Sequence, residues 1–164
     1  MKKFLISVLL IFFITVPLMA EKKQSRIDMD AWRYEIVSAG EGQQGSYKIK
    51  VWTFSKKTKV SEDLFKKYAV HGVLFNGIPA YKRTSGKKPL IMDPQVKITY
   101  DDFFQKFFAD GGDYENFVQF TSGTPEIIQV GKENKIGVIV LVLKDDLRKY
   151  LENAGIIKAL NYGF

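Results

Sequence analysis

Lys135-Ile136-Gly137-Val138-Ile139-Val140-Leu141-Val142-Leu143 is the stretch that decides the fold. From Val138 onward it is continuously apolar, which suits a strand at the centre of a sheet or covered on both faces. Residues 126–130 precede it across Gly131-Lys132-Glu133-Asn134, so the two segments predict a hairpin. Asp145 and Asp146 then favour a helix start, because acids suit the positive end of the helix dipole. Leu147, Tyr150, Leu151 and Ala154 give that helix a buried stripe, and Gly155 caps it.

A second hairpin is written nearer the N-terminus. Over residues 31–37, Trp32, Tyr34 and Ile36 alternate with Arg33 and Glu35. Residues 38–45 hold Gly40, Gly42 and Gly45 and read as a turn. Over 47–54, Tyr47, Ile49 and Val51 alternate with Lys48 and Lys50. Trp52 and Phe54 fall on the Lys side of that strand. Large apolar groups are usually buried, so a covering helix is expected there; rings left open for a partner are the alternative.

Helices are expected between and after these strands. Ser61 is a good N-cap, with Val60 and Phe65 at staple positions. Glu62 with Lys66, and Asp63 with Lys67, are acid-before-base pairs four apart. Leu64, Phe65, Tyr68 and Ala69 form the buried side, and Gly72 is expected to stop the helix in left-handed geometry. Val73-Leu74-Phe75 then reads as a short buried strand. Residues 76–98 carry Asn76-Gly77, three prolines and the basic run Tyr81-Lys82-Arg83-Thr84-Ser85-Gly86-Lys87-Lys88, and read as a long loop. Thr99-Tyr100-Asp101-Asp102 opens a second helix, in which Phe103, Phe104, Phe107 and Phe108 make one apolar face before Gly111. Residues 116–120 read as a further strand. The sum is α+β, a mostly antiparallel sheet of about five strands with two to three packed helices.

The ends of the chain add an address. Met1-Lys2-Lys3 is basic, residues 4–16 are almost wholly apolar, and Leu18-Met19-Ala20 ends in a small residue. This is the layout of a signal peptide cleaved after Ala20, which places the protein in the periplasm or outside the cell. The apolar run is shorter than the roughly 20 residues of a membrane span, so no transmembrane anchor remains after cleavage; a retained anchor is the alternative. Removal of residues 1–20 leaves 144 of 164, divided into a polar linker over 21–30 and a single domain over 31–164. There is no Cys, so neither disulfides nor thiolate sites are available and packing alone holds the fold.

The full chain carries a net +7, of which Lys2 and Lys3 supply two. The remaining excess suits an anionic lipid, a polysaccharide or an acidic envelope protein, or simply a solvated basic face. Nucleic acid does not suit an exported chain.

The chemistry-bearing groups are sparse. His71 is the only histidine, has no Cys or second His for a metal, and sits where a cation suits the end of a helix. Ser85-Gly86-Lys87-Lys88 matches the Ser-x-x-Lys motif, but Gly86 and Pro89 oppose the helix that motif needs. Asp110, Asp113 and Glu115 cluster near glycines without the spacing of a calcium loop. No cofactor motif is present. Leu160, Tyr162 and Phe164 alternate as in the last strand of an outer-membrane barrel, yet the capped helical segments oppose a barrel.

Tyr68-Ala69-Val70-His71-Gly72-Val73-Leu74-Phe75, preceded by Lys50-Val51-Trp52-Thr53-Phe54-Ser55-Lys56-Lys57, resembles a family of small uncharacterised exported proteins of Gram-negative anaerobes. The element order over 47–75 is also similar to envelope modules that accompany lipoprotein and curli-type secretion channels. Neither likeness implies catalytic residues. The expected function is a non-enzymatic periplasmic or surface-associated binding or assembly module. Its expected binding residues are Tyr81, Lys82, Arg83, Lys87 and Lys88 of the basic loop, with Trp52. A hydrolase of envelope polymer using Asp101, Asp102, Asp110 or Asp113 is the alternative, and a small outer-membrane barrel is the third reading.

Overall fold

In the computed structural model, residues 25–81, 84–121 and 123–159 are described. The expected signal segment at 1–20 and the C-terminal alternation at 160–164 lie outside the described residues. The strands are β1 (Tyr34–Ser38), β2 (Tyr47–Ser55), β3 (Val118–Phe120), β4 (Glu126–Val130) and β5 (Glu133–Val142). The α-helices are α1 (Glu62–His71), α2 (Pro94–Thr99), α3 (Asp101–Phe107) and α4 (Lys144–Asn153). The class is α+β, with all strand pairings antiparallel in one sheet.

The apolar run read first is the sheet's centre. β5 pairs with β2 from Tyr47↔Val142 to Ser55↔Asn134, and β1 lies beyond β2. The opposite edge of β5 is shared. β3 takes its C-terminal end, with Val118 opposite Val142, and β4 takes its N-terminal end, with Glu126 opposite Gly137. The β4–β5 turn is tighter than the sequence suggests. Glu133 and Asn134 already belong to β5, leaving Gly131 (φ 61°) and Lys132 to reverse the chain.

Alternation sorts the sheet into two faces. Ile36, Ile49, Val51, Ile136, Val138, Val140 and Val142 are buried beneath the helices. Phe65, Tyr68 and Ala69 of α1, Phe104 and Phe107 of α3, and Leu147 and Leu151 of α4 complete this core. Ser61 caps α1 as expected, its Oγ accepting from the Leu64 N–H at 3.4 Å. Gly155 (φ 71°) ends α4, and the next residue, Ile156, is buried after donating its N–H to Leu151.

Two local expectations are corrected. Gly72 does not stop α1 in left-handed geometry. Its φ is −62°, and the chain winds on through a π-helical turn, Gly72–Asn76, in place of the expected strand. The glycine is needed for space, since a Cβ there would lie 2.5 Å from Ile36 Cδ1. Gly77 (φ 70°) makes the actual stop, donating its N–H to Gly72 O at 2.9 Å. Carbonyls freed by the wider turn accept from Leu90 and Ile91, which ties the following segment down. That segment is also less loop-like than expected. Ile78 bridges to Lys87 and Tyr81 to Thr84, and α2 begins where Asp93 caps a helix with Pro94 at its first position.

From Ser25 on, the stretch read as a polar linker lies against α3. Arg26 pairs with Asp101 and Asp102, while Ile27 exchanges backbone hydrogen bonds with the Gln105 amide at 2.6 and 2.9 Å. Met29 is buried in the core. No helix among the described residues is long and apolar enough to cross a membrane.

Among the described residues no helix packs on the sheet's other face. The described residues supply no covering helix over Trp52 and Phe54, and cations stand over these rings instead. Lys50 Nζ stands 4.4 Å and Lys135 Nζ 5.3 Å from the centre of a Trp52 ring, while Arg33 stands 5.2 Å over Phe54. Each cation is held by an acid: Lys50 by Glu126, Lys135 by Glu35, and Arg33 by Glu133. Lys stems shield the indole while their ammonium heads stay near water. Gly137 lies directly opposite Trp52 and lets the ring lie flat on the sheet; a Cβ there would sit 2.6 Å from Trp52 Cε3. Gly137→Ala is therefore expected to cost about 1–3 kcal/mol by overpacking. Urea unfolding followed by tryptophan fluorescence measures this. A midpoint equal to wild type would mean that the ring has room to move.

Candidate functional site

One recess follows from β3 and β4 sharing one edge of β5. Between the end of β3 and the start of β4 a cleft of about 490 Å³ opens beside that edge. Its floor is apolar: Phe65 from α1, Phe120 from the end of β3, and Ile136 and Val138 from β5. Its rim is polar, with Lys59, Ser61 and Glu62 at the start of α1, and Thr121 and Thr124 on the crossing segment. Lys50 and Glu126, bonded to each other, stand at its border with the open sheet face. Ile139 and Gly137 also belong to both surfaces. The volume lies within the roughly 300–1,000 Å³ range of small-molecule sites.

The rim groups are largely committed. Ser61 Oγ is the α1 cap, and Thr121 Oγ1 donates to Ile139 O at 2.9 Å. Neither has a histidine or other base bonded to it that would make it a nucleophile. What the cleft offers is an apolar pocket beside a cation and an acid.

The sequence-predicted binding residues do not converge on it. Tyr81 is exposed and its N–H donates to Thr84 O at 3.2 Å, while Lys82 and Arg83 lie outside the described residues. Lys87 lines a separate polar recess of about 300 Å³, together with Lys48, Glu41 and Ser85, where the basic segment lies near the β1–β2 loop. Lys88 is exposed and outside that recess. Trp52 is only 9% exposed under Lys50 and Lys135, so its ring is a platform for lysines rather than an open binding surface. No sequence signal marked the cleft, because it is made by strands meeting a shared edge.

The acids considered for hydrolysis are each engaged by a neighbouring side chain. Asp101 and Asp102 bind Arg26, Asp113 accepts from the Tyr150 hydroxyl at 2.6 Å, and Asp110 binds Lys67 at 2.6 Å. The hydrogen bond and charge of Lys67 hold the Asp110 carboxyl below the usual range, the opposite of what a general acid needs. Among the described residues no group of three or more His, Asp or Glu side chains is placed to hold a metal ion.

His71 is built into the core. Its Nδ1 lies 2.6 Å from the Tyr34 hydroxyl, which also accepts from the Asn76 amide at 2.7 Å. Trp32, Phe75 and Phe108 surround the imidazole with ring centres 5.1, 4.9 and 5.8 Å away. Burial, aided by the Lys97 charge, lowers its pKa to about 4. The expected cation at a helix end is thus a neutral imidazole inside a continuing helix. Burial also raises the Tyr34 hydroxyl above its ordinary range.

Comparison with family models, with curated proteins and with solved structures gives no match.

Proposed function

We propose that this protein is a non-enzymatic binding module of the bacterial envelope that takes the apolar group of an anionic amphiphile into the cleft beside β5. The observation that carries this reading is the pairing of an apolar floor with Lys50 at the border. Phe65, Phe120, Ile136 and Val138 would receive the apolar part. Lys50, only 21% exposed and now bonded to Glu126, would exchange that partner for the ligand's anionic group. The signal-like opening segment supports an envelope location, and the sequence's positive balance supports an anionic partner. Arg26, Lys67 and Tyr150 between them engage all four acids, and the Asp110 carboxyl is lowered rather than raised, so the hydrolase alternative gains no support.

The test is titration with anilinonaphthalene sulfonate, which joins apolar rings to one sulfonate. Folded protein is expected to bind it with a dissociation constant of roughly micromolar order. Lys50→Ala should weaken binding about tenfold, equivalent to about 1.4 kcal/mol. If Lys87→Ala weakens it instead, the site is the recess at the basic segment and the cleft reading falls. Absence of binding by the native protein also overturns it.

A further inference from the structure

Among the described residues β4 is an edge strand, and it is unusually exposed. All five residues, Glu126-Ile127-Ile128-Gln129-Val130, are exposed, with Ile127, Ile128 and Val130 at 48, 43 and 49%. An edge of this kind presents unpaired backbone groups to another strand. Natural edges are commonly guarded by Lys, Pro or a bulge. β4 contains none of these within its bounds.

The register identifies which groups are free. The β5–β2 pairing is continuous, so β5 has no bulge. Thr121 N–H donates to Ile139 O, and Leu143 N–H donates to Phe117 O. Odd-numbered residues of β5 therefore turn their backbone groups toward the β3 and β4 edge. Their partners Glu126, Ile128 and Val130 face inward, and Ile127 and Gln129 present N–H and C=O groups outward.

We infer that β4 pairs with β4 of a second copy, antiparallel, about a two-fold axis through Ile128. The choice of occupant rests on self-complementarity. In this register Ile127 of each copy meets Gln129 of the other, so every outward group of the strand is paired. Centring on Ile127 would place Gln129 against Pro125, which has no N–H. Centring on Gln129 would place Ile127 against Gly131, inside the turn with φ 61°. Only the Ile128 register avoids both. It also brings Lys132 at the turn of one copy diagonal to Glu126 of the other, so opposite charges meet at each end. The interface is isologous and closes at two copies, continuing the sheet across the axis.

Five residues bury little surface, so the dimer is a weak one with a micromolar or weaker dissociation constant. Sedimentation of the purified chain without ligand, over roughly 10 to 500 μM, should show a monomer–dimer shift. Gln129→Pro removes an outward N–H while sparing the inward ladder to β5, and should leave a monomer with unchanged melting temperature. Ile128→Lys sets like charges directly opposite each other and should also be monomeric. Mixing Ile128→Lys with Ile128→Glu should restore a heterodimer. A native protein that stays monomeric across the range, or a dimer indifferent to both single variants, overturns the inference. Sulfonate binding plays no part in this readout, so failure here leaves the cleft reading separately decided.

Discussion

Phe108→Ala is expected to destabilise the fold by about 3–5 kcal/mol, at the high end for a core truncation. Phe108 is fully buried at the end of α3. Its ring meets Phe107 at 4.9 Å, Trp32 at 5.5 Å, and both His71 and Tyr114 at 5.8 Å between centres. It thus joins the segment before β1, the end of α1, α3 and the short 3₁₀ turn Asp113–Phe117. Removing it leaves a cavity bounded by other rings, which cannot collapse without tilting several elements. There are no disulfides to limit the damage. For a domain with the usual total stability of about 5–15 kcal/mol, this is a large share of the whole. The melting temperature should fall by roughly 10–20 °C. Phe103→Ala is the comparison. Phe103 belongs to the same helix but is only partly buried, packed against the core's margin, so its loss should be less than half as large. Equal losses at the two positions would show that Phe108 is not the hinge of the ring cluster.

The same cluster shows where the sequence could be read and where it could not. The β2 and β5 strands were legible because their alternation and apolar runs are local patterns. The cap at Ser61 was legible because a hydroxyl, a staple and two acid–base pairs all occur within one turn or two. Gly72 departs from its sequence expectation because a glycine has two uses that look alike in sequence. It supplies left-handed backbone, or it leaves out a Cβ. Here Ile36, thirty-odd residues away, demands the second use, and Gly77 supplies the first. α2 was hidden by Pro94, which punctuates loops but also starts helices when a capping Asp precedes it. The cleft was invisible for a different reason. β3 and β4 each look like ordinary short strands, and only their sharing of one edge of β5 leaves an opening between them. The basic segment is conspicuous in sequence by its charge, yet charge alone does not make a concave site.

Acidification is expected to weaken the native state through His71. In the folded chain the imidazole is held neutral: burial among Trp32, Phe75 and Phe108, with Lys97 nearby, lowers its pKa to about 4. Asp30 opposes this, but it is itself engaged by Lys97 at 2.5 Å. In the unfolded chain the same group titrates near 6.5. The unfolded state therefore takes up a proton first as pH falls. Above about pH 6.5 both states are neutral and the histidine imposes no pH slope. Below it, stability should fall by about 2 kcal/mol between pH 7 and pH 5, and by about 3 kcal/mol at pH 4. Asp30 and Asp110 shift stability in the same direction at still lower pH, because protonation breaks their bonds to Lys97 and Lys67. His71→Phe separates the contributions. It keeps a ring among rings, and the Tyr34 hydroxyl retains its bond from Asn76. Urea unfolding at pH 7 and pH 5 should show the wild type losing about 2 kcal/mol more than the variant over that interval. Equal pH slopes for the two proteins would mean that His71 binds its proton as readily in the folded chain as in the unfolded one, and the buried neutral imidazole would have to be abandoned.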